Sequence, residues 1–155
     1  MLLSKEQVLK FKNSIISIGS CSFGNETRGY IEELVLRPDS QFTVFAAIEE
    51  NELTGFLILL EMPEIEEVAI AQIAVKKEMQ SKGIGDLLVK EIIEHSCSIG
   101  IEWISLEVRV SNAAAIRLYE KNGFKKLGVR KWYYINPVED AFTMVKKITP
   151  YDNFT

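Results

Sequence analysis

The feature that most narrows the possible folds is a strand–turn–helix–strand run in the middle of the chain. Residues 68–75 form an apolar run, Gln80-Ser81-Lys82-Gly83-Ile84-Gly85 forms a glycine-bearing turn, and residues 84–98 carry Ile84, Leu87, Leu88, Ile92 and Ile93 at helical spacing. Behind Gly100, residues 103–110 alternate: Ile104, Leu106, Val108 and Val110 take one face, and Trp103, Ser105, Glu107 and Arg109 take the other. A helix joining two strands of one sheet must cross over it, so the strand at 103–110 is expected to lie parallel to the strand at 68–75.

The turn inside that unit has a chemistry of its own. The first N–H groups of a helix lack intrahelical acceptors and sit at the positive end of the macrodipole, so an anion placed there is hydrogen-bonded and electrostatically favoured. Gly83 and Gly85 lack Cβ, which lets a phosphorylated group approach the main chain and permits unusual backbone angles. On the hexapeptide alone, a simple helix-entry device explains the two glycines as well as a phosphate cradle does.

The flanking segments supply the other layers. Ser4 followed by Gln7 is a capping-box pattern, and Val8, Phe11, Ile15 and Ile18 recur behind it, so a helix is expected over residues 5–18, with a loop over 19–25. Thr27 is a candidate cap for a second helix whose Tyr30, Ile31, Leu34 and Val35 face inward until Pro38. Residues 42–48 and 55–60 are β-favouring runs separated by polar residues 49–52, which predicts a hairpin and, with 68–75, an antiparallel meander. Ser111 and Asn112 offer caps for a short helix over 113–121, closed by Asn122-Gly123 with Phe124 behind it. Strands at 125–135 and 139–148 flank Asn136-Pro137, and the tail after Pro150 is expected to be loosely held. The pattern is an α/β (α+β) fold: one mixed, largely antiparallel sheet flanked by about four helices.

The 155 residues, 47% hydrophobic and 26% charged, suit one compact domain with its own core. Cys21 and Cys97 are far apart and His95 is the single histidine, so neither a disulfide scaffold nor a metal site is expected, and a reducing, cytoplasmic setting is. No signal peptide, membrane span or membrane partner is expected. Residues 1–72 hold five Lys and Arg against twelve Asp and Glu, a net −7, whereas residues 73–155 hold thirteen against ten, a net +3. A mildly basic half suits a small phosphorylated cofactor and an acidic half a cationic acceptor, while nucleic-acid binding would call for a larger basic patch.

Two residues stand out as candidates for chemistry. Glu107 is a carboxylate on a strand whose other face is aliphatic, costly to bury unless solvated, paired or used. Arg109, two residues along on the same face, is the alternative explanation, as its structural ion-pair partner. Tyr119 lies one turn after Ala115 and Ile116, where an aromatic is ordinarily core. His95 reads as a boundary residue and Cys97 as packing. Trp132, Tyr133 and Tyr134 read either as core on alternate faces or, Tyr134 above all, as a wall beside the Pro-containing loop.

Taken together, Gln-x-x-Gly-x-Gly at 80–85, Leu106-Glu107-Val108-Arg109 with Ser111-Asn112-Ala113-Ala114-Ala115-Ile116, Leu118-Tyr119-Glu120-Lys121-Asn122-Gly123-Phe124, and Tyr133-Tyr134 before Glu139-Asp140-Ala141 resemble the GNAT acetyltransferases. Within them they look most like the RimI-like ribosomal-protein alanine N-acetyltransferases. The resemblance covers roughly residues 68–148 and implies the GNAT fold with splayed middle strands, acetyl-CoA as co-substrate, and a protein or peptide N-terminus as acceptor. It implies that Ile73, Ala74 and Val75 pair with pantetheine through their backbone, that Gln80, Ser81, Lys82, Gly83, Ile84, Gly85 and Asp86 surround the diphosphate, and that Asn112 contacts the cofactor, although a helix cap explains Asn112 equally well. Glu107 would be the general base and Tyr119 the general acid, with a main-chain N–H near Val75 stabilising the developing oxyanion. Tyr134 would touch the acceptor.

The departures lie in residues 1–67, the half expected on the acceptor side. Residues 1–3 are too short for the family's usual first strand, and Cys21-Ser22-Phe23-Gly24-Asn25 replaces its Pro-Trp-Ser-like segment. A GNAT acetylating a small amine, such as a polyamine or aminoglycoside, and a non-catalytic acetyl-CoA-binding module are the rival readings.

Overall fold

The computed structural model describes residues 1–154. Helices α1 (Lys5–Phe23) and α2 (Glu26–Leu36) precede strands β1 (Phe42–Glu49), β2 (Glu52–Met62) and β3 (Glu67–Val75). Helix α3 (Ile84–Ser98) and strand β4 (Trp103–Arg109) complete the crossover, and α4 (Ala113–Lys121), β5 (Lys125–Ile135) and β6 (Val138–Lys147) follow. The strands form one sheet in the order β1-β2-β3-β4-β6-β5, in which only β3 and β4 run parallel. The Glu50-Asn51 turn of the β1–β2 hairpin has both residues at positive φ (49° and 66°), the twist that suits a two-residue connection.

Strand alternation sends side chains into two cores. Leu57 and Leu59 of β2 pack with Ile70, Leu88, Ile92, Ile104 and Leu106 on the α3 side, while Phe56 and Ile58 pack with Val8, Ile15, Ile31 and Leu34 under α1 and α2. A strand buried on both faces must be apolar at every position, which is why β2 reads as an unbroken hydrophobic run. On α3, Ile84, Leu88, Val89, Ile92 and Ile93 are buried, each worth about 1.5–3 kcal/mol relative to exposure.

Several expectations for the N-terminal half are corrected. The capping box at Ser4 forms with both of its bonds, but α1 continues past Ile18 to Phe23, so residues 19–23 are helix and not loop. Gly19 is not a breaker: a Cβ there would collide with the Thr27 side chain, so it is the point where α1 lets α2 come close. Thr27 does not cap α2. Asn25 precedes that helix without a side-chain cap bond, and the buried Thr27 hydroxyl donates to Gln72 Oε1 on β3 at 2.7 Å. Residues 1–3 still lie beside β1, through a bridge between Leu2 and Phe45 and 2.8 Å bonds from Leu3 N to Val44 O and from Ala46 N to Met1 O.

Two further differences concern the C-terminal half. Pro150–Phe154 forms a 3-10 turn held by a 3.3 Å Lys146–Asp152 ion pair and by Thr149, so this tail is docked, not loose. β5 is an edge strand with every residue exposed except the half-buried Tyr134, so Trp132, at 75% exposed, and Tyr133 are not alternating core residues.

Candidate active site

The site begins where β3 and β4 part. Their parallel pairing runs from Glu67–Trp103 to Ile70–Leu106 and stops, although β3 continues along β2 to Val75 and β4 along β6 to Arg109. The cause lies in β3. Opposite it, Leu59 pairs with Ile70 and the next residue, Ile58, pairs with Gln72, which leaves Ala71 as an extra residue. Such a bulge bends its strand and increases the local twist, and here it falls one residue beyond the last β3–β4 pair. The sheet opens into a V from that point.

The bulge also decides which backbone groups line the opening. Lys76 N donates to Thr54 O at 2.8 Å, so antiparallel alternation turns the peptide groups of Ala74 and Gln72 toward β2. The N–H and C=O of Ile73 and the N–H of Val75 then face the opening, while the Val75 carbonyl accepts from Gln80 Nε2 at 3.2 Å. Of the three residues singled out on this strand, Ile73 and Val75 present main chain to the gap, and Ala74 does not.

Beyond Val75 the chain turns through Ser81 (φ 64°) and Gly83 (φ 84°) into α3. The first helical bond is Leu87 N to Gly83 O at 3.0 Å, so the N–H groups of Ile84, Gly85 and Asp86 have no helical acceptor, and no side chain caps them. The two glycines do different work. A Cβ on Gly83 would point into open space, whereas one on Gly85 would sit 3.2 Å from Leu118 Cδ2, so Gly85 is where α3 and α4 pack closely. The Asp86 carboxylate is engaged by Lys90 (2.8 Å), Asn122 Nδ2 (2.9 Å) and Lys121 (3.6 Å). The Lys90 and Asn122 hydrogen bonds hold its carboxyl below the usual range. Among the described residues Lys82 reaches the Met79 sulfur, at 3.8 Å.

On the β4 side, Leu106 and Val108 point into the α3-side core, so Glu107 and Arg109 project from the opposite face. The alternative Glu107–Arg109 ion pair does not form. Glu107 meets Arg130 Nε of β5 at 3.2 Å, and Arg109 donates to Pro137 O (2.9 Å), Asn136 O (3.4 Å) and Glu139 Oε1 (3.2 Å). Arg130 reaches Glu107 from across β6, the strand between β4 and β5. Arg109 thereby fixes the β5–β6 turn and stacks its guanidinium 4.2 Å from the Tyr134 ring centroid.

Asn112 caps α4 by accepting from Ala115 N at 3.2 Å, and Tyr119 follows two turns later, only 4% exposed against Phe124. Burial, and then the neighbouring Tyr134, push the Tyr119 phenol well above its usual range. The Tyr134 phenol is pushed up to about 12, first by burial and then by Tyr133, with Glu107 adding to it. Tyr133 is raised by burial, then Glu107 and Tyr30, with Glu26 contributing. Tyr133 and Tyr134 meet edge to face with ring centroids 5.0 Å apart, and both lie near enough to Glu107 for its charge to raise them.

A carboxylate 23% exposed, a protonated buried phenol and outward-facing strand amides form a set that can take a proton, give one, and bind an extended amide chain. Arg130, Ala71, Thr27 and Gln72 are the members that sequence reasoning missed. Only Gln72, a lone polar residue inside an apolar run, left a visible signal.

Known proteins resemble this chain in sequence and fold. The acetyltransferase (GNAT) family model matches residues 8–124. The chain is 33% identical over 129 residues to the [ribosomal protein bS18]-alanine N-acetyltransferase of Salmonella typhimurium, covering 82% of this chain and 78% of that one. It is 35% identical over 115 residues to an N-alpha-acetyltransferase of Saccharolobus solfataricus, covering 67% and 68%. The crystal structure of the ribosomal-protein-S18-alanine N-acetyltransferase from Escherichia coli superposes with a TM-score of 0.80 at 26% identity, over 96% of this chain and 92% of that one. The chain belongs to the GNAT family of acetyltransferases, as an N-acetyltransferase with that family's split sheet.

Proposed function

We propose that this enzyme transfers acetyl from acetyl-CoA directly to the N-terminal α-amine of a protein, with a ribosomal protein as the leading acceptor. The observation that carries the reading is the opening of β3 from β4 beyond Ile70, with the Ile73 and Val75 main chain facing it and Glu107 on the strand that forms its other edge. When bound, acetyl-CoA supplies an activated acyl thioester.

The residues present fit such a group. The free N–H and C=O of Ile73 suit an amide of pantetheine as one strand suits another, and the Val75 N–H beside them is a further donor to the bound group. The uncapped N–H groups from Ile84 to Asp86, with the open space over Gly83, suit a diphosphate. Ser81 and Lys82 belong to the same turn, Gln80 braces it through Val75, and Asn112 contributes through the cap that places α4 beside the gap. Asp86 takes part through its N–H and not through its carboxylate.

Glu107 removes the proton of the incoming ammonium, directly or through water. An α-amine with a pKa of about 7.7–8.0 needs only that modest help to become nucleophilic. Tyr119, kept neutral by burial, would be the proton donor for the leaving sulfur, and the Val75 N–H would be a donor for the oxygen that gains charge. Tyr133 and Tyr134 flank the acceptor chain. Two free cysteines and a charged, reducing-compartment composition suit a cytoplasmic site of action.

The test is a panel of acceptors incubated with acetyl-CoA and followed by mass: peptides with free N-termini, among them the start of ribosomal protein bS18, the same peptides N-blocked but bearing lysine, and a polyamine and an aminoglycoside. Acetylation of free N-termini only is the expected result. Exclusive modification of the small amines would overturn it, and thermal stabilisation by acetyl-CoA with no product from any acceptor would indicate a binding module.

A further inference from the structure

Gln72 is not explained by the chemistry above. It follows the bulge residue Ala71 and precedes Ile73, and its side chain points to the α2 side of the sheet, the face that also carries Glu107. It is 2% exposed, its Oε1 accepts the hydroxyl of the fully buried Thr27, and its Nε2 has no partner. The space for Thr27 depends on Gly19, the position in α1 where any side chain would strike it.

As a mere contact between helix and sheet this pair is a poor choice. Two apolar side chains would fill the same volume without leaving an amide nitrogen unsatisfied among the buried groups of the described residues. What a short hydrogen bond adds is direction. It fixes the Gln72 side chain against α2, and through the Gln72 Cα it fixes the twist of β3 at the point where the Ile73 and Val75 amides turn outward.

We propose that Thr27 and Gln72 are positioning residues that lock the bulged segment of β3 onto α2, so that the cofactor-facing amides and the α2 side of the acceptor rim are held in one geometry. The inference rests on the acetyl-CoA reading of the opening. Neither residue touches the reacting atoms. Thr27 acts through Gln72, and Gln72 acts through the main chain of Ile73.

The experiment is steady-state kinetics with acetyl-CoA and the best acceptor peptide, alongside thermal melting, on Thr27→Val, Gln72→Met, the double variant, and Thr27→Ser. The double variant removes both polar groups, so it should melt at or above the wild-type temperature while kcat/KM for acetyl-CoA falls about tenfold. Thr27→Val, altered only on α2, should raise the KM for acetyl-CoA, an effect that local loosening of a helix would not produce. Thr27→Ser keeps the hydroxyl and should stay within about twofold of wild type. The two single losses should not add, because each breaks the same bond.

A double variant that turns over with both KM values within about twofold of wild type overturns the proposal and leaves the function untouched. A double variant that does not fold makes the pair a fold determinant and equally overturns it. A wild-type protein that binds acetyl-CoA but acetylates nothing in the panel overturns the functional reading and this inference with it.

Discussion

The glycine turn and the tyrosine rim, proposed for the cofactor and the acceptor, are built by opposite means. The turn works through main chain: uncapped N–H groups of Ile84 to Asp86, a left-handed Gly83 and outward amides on β3. The rim as proposed works through side chains from several elements, with Glu107 on β4, Tyr133 and Tyr134 on β5, and the buried Tyr119 of α4 behind them. Main-chain recognition is set by local sequence and is indifferent to the acceptor. Side-chain recognition depends on register across strands, and it can change acceptor without changing cofactor.

Breaking the rim at its carboxylate should have the largest effect. Glu107→Gln is expected to lower kcat by about 10²- to 10⁴-fold with little change in the KM for acetyl-CoA. The deficit should deepen as pH falls, because without a base only amine that is already neutral reacts, and that fraction shrinks below an amine pKa of about 7.7–8.0. A pH-independent loss in the kcat profile would show that Glu107 does something other than take a proton.

Breaking the turn should produce the mirror image. At φ 84°, Gly83→Val puts a β-branched residue where L side chains are strained and places its methyl groups over the open face of the cradle. The expected result is a KM for acetyl-CoA raised about tenfold, an acceptor KM unchanged, and a stability loss of about 1–3 kcal/mol by denaturant titration. Gly85→Ala should instead cost stability more than affinity, since its Cβ would press on Leu118 and not on a ligand.

Arg109→Met is the smaller perturbation of the rim. It frees Tyr134 and the Asn136-Pro137 turn, which Arg109 holds by stacking and by hydrogen bonds to two carbonyls and Glu139. The acceptor KM should rise about five- to tenfold while the KM for acetyl-CoA stays put. A rise in both would mean that turn and rim are less separable than their construction implies.

The same contrast explains what could be read in advance. The crossover, the cap at Asn112, the Gly123 stop and the glycine turn are local, and each was legible because neighbouring residues alone determine it. The partner of Glu107 was not, because Arg130 reaches it only when β6 inserts between β4 and β5, an order that no local pattern encodes. Gly19 reads as a helix end until α2 is seen crossing it, and Thr27 reads as a cap until Gln72 is found beneath it. The Ala71 bulge, which opens the sheet, has no signature beyond a small residue in an apolar run.

The smallest effect expected separates the two regions by pH. The rim carries buried phenols, which the glycine turn lacks. An ordinary phenol ionises near about 10, and Tyr134 is pushed up to about 12 by burial and its neighbours, with Tyr119 raised in the same direction. Below pH 10 both folded and unfolded chains carry these protons, so their contribution to stability is constant. Above it the unfolded chain releases protons that the folded chain keeps, so stability falls as pH climbs toward the folded values. Melting temperature measured from pH 8 to 11.5 should therefore be flat and then decline, and Tyr134→Phe should decline less steeply. Over the flat range Tyr119 remains a proton donor, so turnover should show no alkaline fall of its making, and Tyr119→Phe should lower kcat at every pH without changing the shape of the profile. If Tyr119→Phe abolished an alkaline limb present in the wild type below pH 10, the phenol would be ionising within the working range and could not be the buried donor described.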